Sequence, residues 1–312
     1  MKYFYNLLFS MLLIAGAAYA QTARLQVIHN AADPAAATVD VYLNGSILLD
    51  DFAFRNATPF IDAPAGTTIN VGIAPGNSSS AADTIKNFPL ILSENETYVA
   101  IANGVLDPHS FESNPDHRST GFTLFINAMG REAGSTNDQV DFFVVHGATD
   151  APTVDIIARN VATLVDDAAY GDVTGYLTVP AASYMLDVTP GGDNSSIVAT
   201  FKADLSGLAG GAAAVFASGF LSPDNDQNGE AFGIYAALPN GDVVAFDPVT
   251  TARLQVIHNA ADPAAASVDV YLNDGLLLDD FAFRTATPFI DAPANQAINV
   301  GVAAGNSSSA AD

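Results

Sequence analysis

Short stretches of alternating apolar and polar residues run through most of the chain. Residues 38–43 alternate in this way and are followed by an Asn-Gly dipeptide, which favours a tight hairpin turn. Residues 69–73 alternate likewise and are followed by a Pro-Gly turn. A period of two is typical of β-strands with one buried face. Further strands are predicted at residues 88–92, 97–103 and 122–127.

Signals for helices are weak. The nearest candidate is the alanine-rich stretch at residues 31–37, but Pro34 and the shortness of the stretch favour a loop or a single turn. Six or more strands in about 110 residues predict two antiparallel sheets packed face to face. The expected fold class is all-β, with tandem antiparallel β-sandwich domains of an Ig-like or Greek-key-like kind.

The chain repeats itself. Residues 23–83 recur as residues 252–312, with ten differences in 61 aligned positions. A diverged middle copy begins near Phe142 and keeps the His, the Asp and the Val-Asp pair of the outer copies. Self-similarity at a fixed period indicates an array of whole domains. Equivalent histidines, spaced 117 and 112 residues apart, mark the domain length: His29, His146 and His258.

The repeats predict the domain organisation, with boundaries in polar segments near residues 138 and 249. Each repeat is expected to have its own core, and the repeats to be strung like beads. The third copy stops at the position equivalent to Asp83, so it is incomplete. Either the sequence is a fragment of a longer array, or a strand from a neighbouring chain completes the sandwich and makes a filament. The three repeats are predicted at residues 21–138, 139–249 and 250–312.

The N-terminus predicts export. Residues 1–20 combine Lys2, an apolar run and an Ala-Tyr-Ala sequence, the small-x-small pattern that signal peptidase cuts after. The run is shorter than the roughly 20 residues that cross a bilayer, and no later stretch is long and apolar enough to do so. We therefore expect a signal peptide at residues 1–20 and a bacterial protein that is extracellular or on the cell surface, with the periplasm as an alternative.

The amino-acid composition argues against several classes of function. The chain has no cysteine, which excludes thiol catalysis, thiolate metal sites and disulfides. The formal net charge of −24 repels polyanions, so we expect no nucleic-acid partner. The sequence contains no G-x-S-x-G, H-E-x-x-H or P-loop motif, and its histidines are scattered. These observations favour a protein that is not an enzyme and holds no cofactor, with calcium as the one alternative.

Several motifs together resemble a known family. They are the His-x3-Asp turn, the Val-Asp-Val-Tyr strand at residues 39–42, the Asn-Gly hairpin and the later turn that contains Pro and Gly. In these motifs the chain is similar to the domain-of-unknown-function 4397 family over essentially its whole mature length. The resemblance implies exported bacterial proteins with tandem β-sandwich domains, and it implies no catalytic residues. The middle copy departs from the pattern at Ile156 and Ile157.

The most regular polar motif is the His-x3-Asp pair, which occurs once in each copy. Such a pair could share a cation, or it could act as a base with its orienting group. The favoured interpretation is structural, with the His closing a strand end and the Asp capping the following loop. Adjacent acids also recur, and in a regular strand they would point to opposite faces and serve as edge charges. These pairs are Asp50-Asp51, Asp166-Asp167 and Asp279-Asp280.

One loop has the spacing of a calcium site. Residues 224–230 read D-x-D-x-N-G-E, which places alternate oxygen ligands on one side of a turn. Position twelve of an EF-hand loop would be Tyr235, and the flanks do not read as helices, so the motif is incomplete. A solvated turn is the alternative. The candidate calcium ligands are Asp224, Asp226, Asn228 and Glu230.

Three classes of function follow, in order of preference. Tandem copies favour a structural or adhesive array, in which repetition supplies reach and multivalency and the partners are other copies of the chain. A carbohydrate- or calcium-dependent binding module is second, because Tyr42 and Tyr271 could stack on the sugars of a surface polysaccharide. An enzyme is third.

Overall fold

The computed structural model describes residues 21–310, except residues 274 and 295–296 and the side chain of Pro293. The signal peptide predicted at residues 1–20 lies outside the described residues. Within the part of the chain that is described, no helix has the length and apolar character needed to span a membrane.

Repeat 1 contains two four-stranded sheets. One has the strand order β4-β1-β7-β8 and is called the interface sheet; the other has the order β3-β2-β5-β6 and is called the outer sheet. The strands are β1 (Thr22–Asn30), β2 (Thr38–Leu43), β3 (Ser46–Ala53), β4 (Ile61–Pro64), β5 (Thr68–Pro75), β6 (Lys86–Ile91), β7 (Thr97–Asn103) and β8 (Thr123–Asn127).

Repeat 2 has the same plan with five strands in each sheet. Its interface sheet has the order β12-β9-β15-β16-β17 and its outer sheet the order β11-β10-β13-β14-β18. The strands are β9 (Gln139–Val145), β10 (Val154–Ala158), β11 (Ala162–Ala168), β12 (Leu177–Pro180), β13 (Ser183–Pro190), β14 (Ala199–Asp204), β15 (Ala212–Ser218), β16 (Gly233–Ala237), β17 (Val243–Ala245) and β18 (Asp247–Pro248).

In repeat 3 the described residues form a two-stranded part of the interface sheet, β19-β22, and a three-stranded outer sheet, β21-β20-β23. Its strands are β19 (Thr251–Leu254), β20 (Ser267–Leu272), β21 (Gly275–Ala282), β22 (Ile290–Pro293) and β23 (Val300–Ala304). Helical structure among the described residues is limited to 3-10 turns at Pro34–Ala36, Ala81–Asp83, Pro108–Ser110, Pro223–Asn225 and Pro263–Ala265. The predicted all-β class is confirmed, and the alanine-rich stretch is the single turn that Pro34 favours.

One pairing in each complete repeat is parallel. Strand β1 pairs with β7 in parallel register, and β9 pairs with β15 in the same way, whereas the other ladders are antiparallel. Parallel strands are normally buried on both faces. The central strands of the interface sheets follow this rule: residues 139–145 of β9 and 212–218 of β15 are almost entirely buried.

Each complete repeat has its own core between its two sheets. In repeat 1 one face of the central strands contributes Leu25, Tyr98 and Ala100, which pack with Ile69 of the outer sheet. In repeat 2 the corresponding core includes Phe142, Val215, Leu186 and Phe201. The alternation along each strand therefore points every second side chain into the sandwich.

The remaining side chains of the same strands form a second core, shared between repeats 1 and 2. The interface sheet of repeat 1 packs directly against that of repeat 2. Repeats 1 and 2 are therefore not separate domains joined only by a linker. Phe143 and Phe216 are fully buried in this shared core. Its buried members are Ile28, Phe60, Val99 and Ile101 from repeat 1, and Phe143, Val145, Ala214, Phe216 and Ala237 from repeat 2.

Polar contacts fix how the two repeats are oriented. The guanidinium of Arg55 lies between the rings of Phe54 and Tyr235, 4.8 and 4.3 Å from their centroids. It also donates to the Ala231 carbonyl at 2.6 Å and to Ser218 Oγ at 3.1 Å. Such directional bonds select one alignment from the many that an apolar face alone would allow.

A buried amide network adds to this alignment. Asn103 Nδ2 donates to the Gly147 carbonyl at 3.1 Å and to the Tyr170 hydroxyl at 3.0 Å. Gln26 Nε2 donates to the Leu238 carbonyl at 2.7 Å. These donors are buried and come from repeat 1, while their acceptors belong to repeat 2, so each bond would be lost if the repeats separated.

The shared core predicts that repeats 1 and 2 unfold together. Phe143→Ala should lower the free energy of unfolding by about 3–5 kcal/mol, because it opens a cavity in that core. Val161→Ala is the control, since Val161 lies at a turn and is 62% exposed. Chemical denaturation followed by fluorescence and circular dichroism measures both. Two well-separated transitions for repeats 1 and 2 in the unmodified chain would contradict the prediction.

Candidate functional site

The histidine of the His-x3-Asp motif bonds the backbone in all three repeats, as its structural interpretation predicted, and the Asp caps a turn in repeats 1 and 3. Asp150 of repeat 2 instead accepts from the Ser222 amide. Nε2 of His29 lies 2.7 Å from the Ala36 carbonyl, and the equivalent nitrogen of His258 lies 2.7 Å from the Ala265 carbonyl. Asp33 accepts from the Ala35 amide at 2.8 Å and so caps the 3-10 turn. Because a carbonyl oxygen only accepts, Nε2 of each ring carries the proton.

Burial favours the neutral form of His29 and His146. His29 has no exposed surface and packs against the rings of Phe52 and Phe54. Desolvation lowers its pKa from 6.5 to about 4, against the opposing effect of the Ala36 hydrogen bond. Desolvation likewise lowers the pKa of His146. A neutral, hydrogen-bonded imidazole in a strand end is a structural element.

The adjacent acids do not lie in regular strands, and the expectation of opposite faces is wrong. The second member of each pair has a positive φ of 51–52°, and the pairing register shifts at the equivalent point of each hairpin. A β-bulge therefore sits there. The buried Asp of the Val-Asp motif holds it, as Asp40 Oδ1 accepts from the Asp51 amide at 2.9 Å.

The two tyrosines predicted to stack on sugars are buried. Tyr42 is 7% exposed and Tyr271 is 4% exposed. Their hydroxyls lie 2.8 Å from Ser78 Oγ and Ser307 Oγ, respectively. The prediction of a carbohydrate site at these rings is wrong, because a buried face offers no surface to a sugar.

The calcium-like loop does not gather its own four candidate ligands. Asp224, Asn228 and Glu230 are exposed, and a carboxylate oxygen of Glu230 lies 3.7 Å from the Arg55 guanidinium across the interface of repeats 1 and 2. Asp226 is the exception, because it has no exposed surface. Its carboxylate turns away from the loop and towards two acids elsewhere in the chain.

Those two acids are Glu112 of repeat 1 and Asp150 of repeat 2. One oxygen from each of Glu112, Asp150 and Asp226 lies within 4.8 Å of the others. Asp150 is 7% exposed, while Glu112 lies at the surface. We call these three residues the carboxylate cluster.

The topology of the interface sheets explains how the cluster forms. Asp150 follows β9 and Asp226 follows β15, and these strands are parallel neighbours, so their carboxyl ends meet at one edge of the sheet. Glu112 follows β7 of repeat 1. The stacked rings of Phe111 and Phe220, 5.6 Å apart, hold the connection after β7 against the one after β15.

One oxygen of each carboxylate accepts a hydrogen bond, from backbone amides in the case of Asp226 and Asp150 and from a side-chain amide in the case of Glu112. Asp226 Oδ1 accepts from the Glu112 amide at 2.8 Å, and Asp150 Oδ2 accepts from the Ser222 amide at 2.9 Å. Glu112 Oε1 accepts from Asn225 Nδ2 at 2.7 Å. The second oxygens of Asp150 and Asp226 are buried and have no hydrogen-bond partner among the described residues.

The electrostatics of the cluster are unfavourable for three bare charges. Burial raises the pKa of Asp226, and the nearby charges of Asp150 and Glu112 raise it further, against the Glu112 amide bond. Either a shared proton or a bound cation relieves this repulsion. Hard oxygen ligands are the set that calcium prefers.

The sequence predicts Asp226 as a calcium ligand, but it does not predict the association of Asp226 with Asp150 and Glu112. Asp150 was assigned to the His-x3-Asp motif, and Glu112 lies in the connection that matches the calcium-like loop without sharing its spacing. The distance along the chain, 114 residues from Glu112 to Asp226, hides the pairing. A prediction that β9 and β15 are parallel neighbours would have indicated that the loops after these two strands meet.

Comparison with known proteins gives one family. The model for a family described as "Domain of unknown function (DUF4397)" matches residues 17–121 and 141–228. The two matches cover most of repeats 1 and 2. Among curated proteins, none matches the sequence significantly.

The neutral His29 predicts how stability depends on pH. Its pKa is lower in the folded state than the unfolded value of 6.5, so its contribution is complete above pH 6.5 and is lost as the pH falls towards about 4. The loss amounts to roughly 3 kcal/mol. Denaturant unfolding between pH 7 and pH 4 measures it. His29→Gln should flatten this dependence, while His109→Gln at an exposed position should leave it unchanged; equal slopes in both variants would contradict the assignment.

Proposed function

This chain belongs to the DUF4397 family, and from its paired repeats we propose that it is an exported structural protein whose domains stack face to face outside the cell. The predicted leader supports export, and the structural role of the recurrent His-x3-Asp motif supports a function without catalysis. Repetition of one domain supplies reach and multivalency, which suit a structural or adhesive array.

The observation that carries the proposal is the face that repeat 3 leaves open. Ile28 and Phe60 of repeat 1 are 0% and 7% exposed in the core that joins strands β7 and β8 of the same repeat with residues of repeat 2. Their counterparts in repeat 3, Ile257 and Phe289, are 65% and 57% exposed. Repeat 3 therefore presents the same residues for pairing, without a partner among the described residues.

The pairing of repeats 1 and 2 shows what fits such a face. The two interface sheets are equivalent parts of homologous domains, so each repeat uses the same surface towards the other. A surface that pairs with its homologue in this way suits a two-fold contact between identical domains. The occupant we propose for repeat 3 is repeat 3 of a second chain, which joins two chains into a dimer.

Dimerisation tests the proposal. Sedimentation velocity over a wide range of concentration should show a species of twice the chain mass, and Ile257→Asp should weaken this association by at least tenfold, because it buries a charge in the contact. Leu276→Asp is the matched control, since Leu276 is 54% exposed on the outer sheet of the same repeat. A chain that stays monomeric, or equal weakening by both substitutions, would overturn the proposal.

Calcium binding by the carboxylate cluster is a second candidate function. The unpartnered buried oxygens of Asp150 and Asp226 favour it, because buried polar atoms normally have a partner. With Glu112 at the surface, the three residues offer oxygen ligands to one ion at the junction of repeats 1 and 2. A bound ion would thus strengthen the same pairing that the array depends on.

Thermal unfolding tests the cluster. Calcium at about 100 times its dissociation constant should stabilise the chain by about 2.7 kcal/mol, or roughly 5–10 °C. Asp226→Asn and Asp150→Asn should each abolish the shift, whereas Asp224→Asn should keep it because Asp224 is exposed outside the cluster. Loss of the shift in Asp224→Asn would instead support the loop spacing seen in the sequence, and no shift in the unmodified chain would exclude a calcium site of useful affinity.

A further inference from the structure

The sandwich of repeat 2 encloses a large apolar cavity between its two sheets. Its volume is about 310 Å³, compared with about 30 Å³ for the equivalent space in repeat 1. The two repeats share one plan of strands, so the difference comes from side chains and not from topology.

Replacement of large residues by alanine accounts for the space. Phe52, which lies opposite Val39 in repeat 1, is replaced by Ala168, which lies opposite Val154. The register of the strands gives two further replacements in the cavity wall, Leu90 by Ala203 and Tyr98 by Ala213. The change of Leu25 to Phe142 returns only part of this volume.

The cavity reaches the surface at one end of the sandwich. Val198, just before β14, and Leu221, just after β15, belong to its wall and are 65% and 49% exposed. Exposed apolar side chains at the rim of an apolar space are typical of the mouth of a binding pocket. A ligand therefore has an entry path that does not require the sheets to separate.

His146 is one of the residues that line the cavity, and it is 4% exposed. Its Nε2 lies 3.0 Å from the Pro152 carbonyl, so Nε2 carries the proton. Its Nδ1 has no partner among the described residues, but it is buried, so a ligand in the cavity does not reach it. The wall therefore offers mainly apolar contacts to a ligand.

We propose that repeat 2 binds a small, uncharged and largely hydrocarbon molecule in this cavity. Protein interiors are packed to the density of organic crystals, so a space of this size in the core of a sandwich is unusual. An apolar cavity of about 150 Å³ stays dry and holds benzene, so this one has room for a medium-chain alcohol or a compound of two rings. Pockets of this volume are typical of small-molecule sites.

The test uses the full chain and the fluorescent probe N-phenyl-1-naphthylamine, whose emission rises in apolar surroundings. We expect a saturable rise with one site per chain and displacement of the probe by 1-decanol. The double variant Ala168→Phe with Ala203→Leu, which restores the residues of repeat 1, should bind at least tenfold more weakly. Ala162→Phe is the matched control, because Ala162 lies on the same strand β11 but is exposed.

The binding experiment can contradict the proposal in two ways. The proposal is overturned by an absence of saturable binding in the unmodified chain, or by unchanged affinity in a folded double variant, which would place the probe on the exposed apolar residues of repeat 3. If the double variant does not fold, Ala203→Leu alone should still weaken binding several-fold.

Discussion

Burial of the interface sheets on both faces is the constraint on which the rest of the structure depends. Strands β1, β7, β9 and β15 send alternate side chains into two different cores, one within a repeat and one between repeats 1 and 2. Because the two sets of side chains share one backbone, neither core can be repacked alone. Because both faces of these strands are removed from water, substitutions in them should lower the free energy of unfolding more than substitutions elsewhere.

The same arrangement places the loops that carry chemistry. Parallel neighbours end at the same edge of a sheet, so the connections after β9 and β15 are brought together, and the facing sheet adds the connection after β7. Three carboxylates meet there, and two of them, Asp150 and Asp226, also accept hydrogen bonds from backbone amides. The same residues at the junction of the repeats thus stabilise the fold and form the carboxylate cluster.

Repetition and divergence have different consequences in this chain. The features that recur in every repeat, such as the His-x3-Asp turn and the bulge at the paired acids, serve the backbone. The large apolar cavity, in contrast, distinguishes the middle repeat from repeat 1. Side chains fill the space between the two sheets in repeat 1, whereas a cavity remains between the two sheets of repeat 2.

Local patterns in the sequence determined the all-β class, the repeat, the Asn-Gly hairpin and the structural role of the His-x3-Asp turn. Each of these depends on residues that are neighbours along the chain, or on self-similarity, which can be read without coordinates. Even so, the near-continuous apolar runs of β7, β9 and β15 carried information about two-sided burial. Those runs indicated that both faces of these strands are covered, but not which part of the protein covers the second face.

Tertiary structure alone decided which surfaces meet. The contact between interface sheets, the association of Glu112 with Asp226 over 114 residues, and the bulges that the paired acids occupy all depend on the register and stacking of distant strands. Alternation specifies that a face is apolar, but it does not specify what covers the face. For this protein the sequence determined what each repeat is, and the packing of one sheet on another determined what the repeats do together.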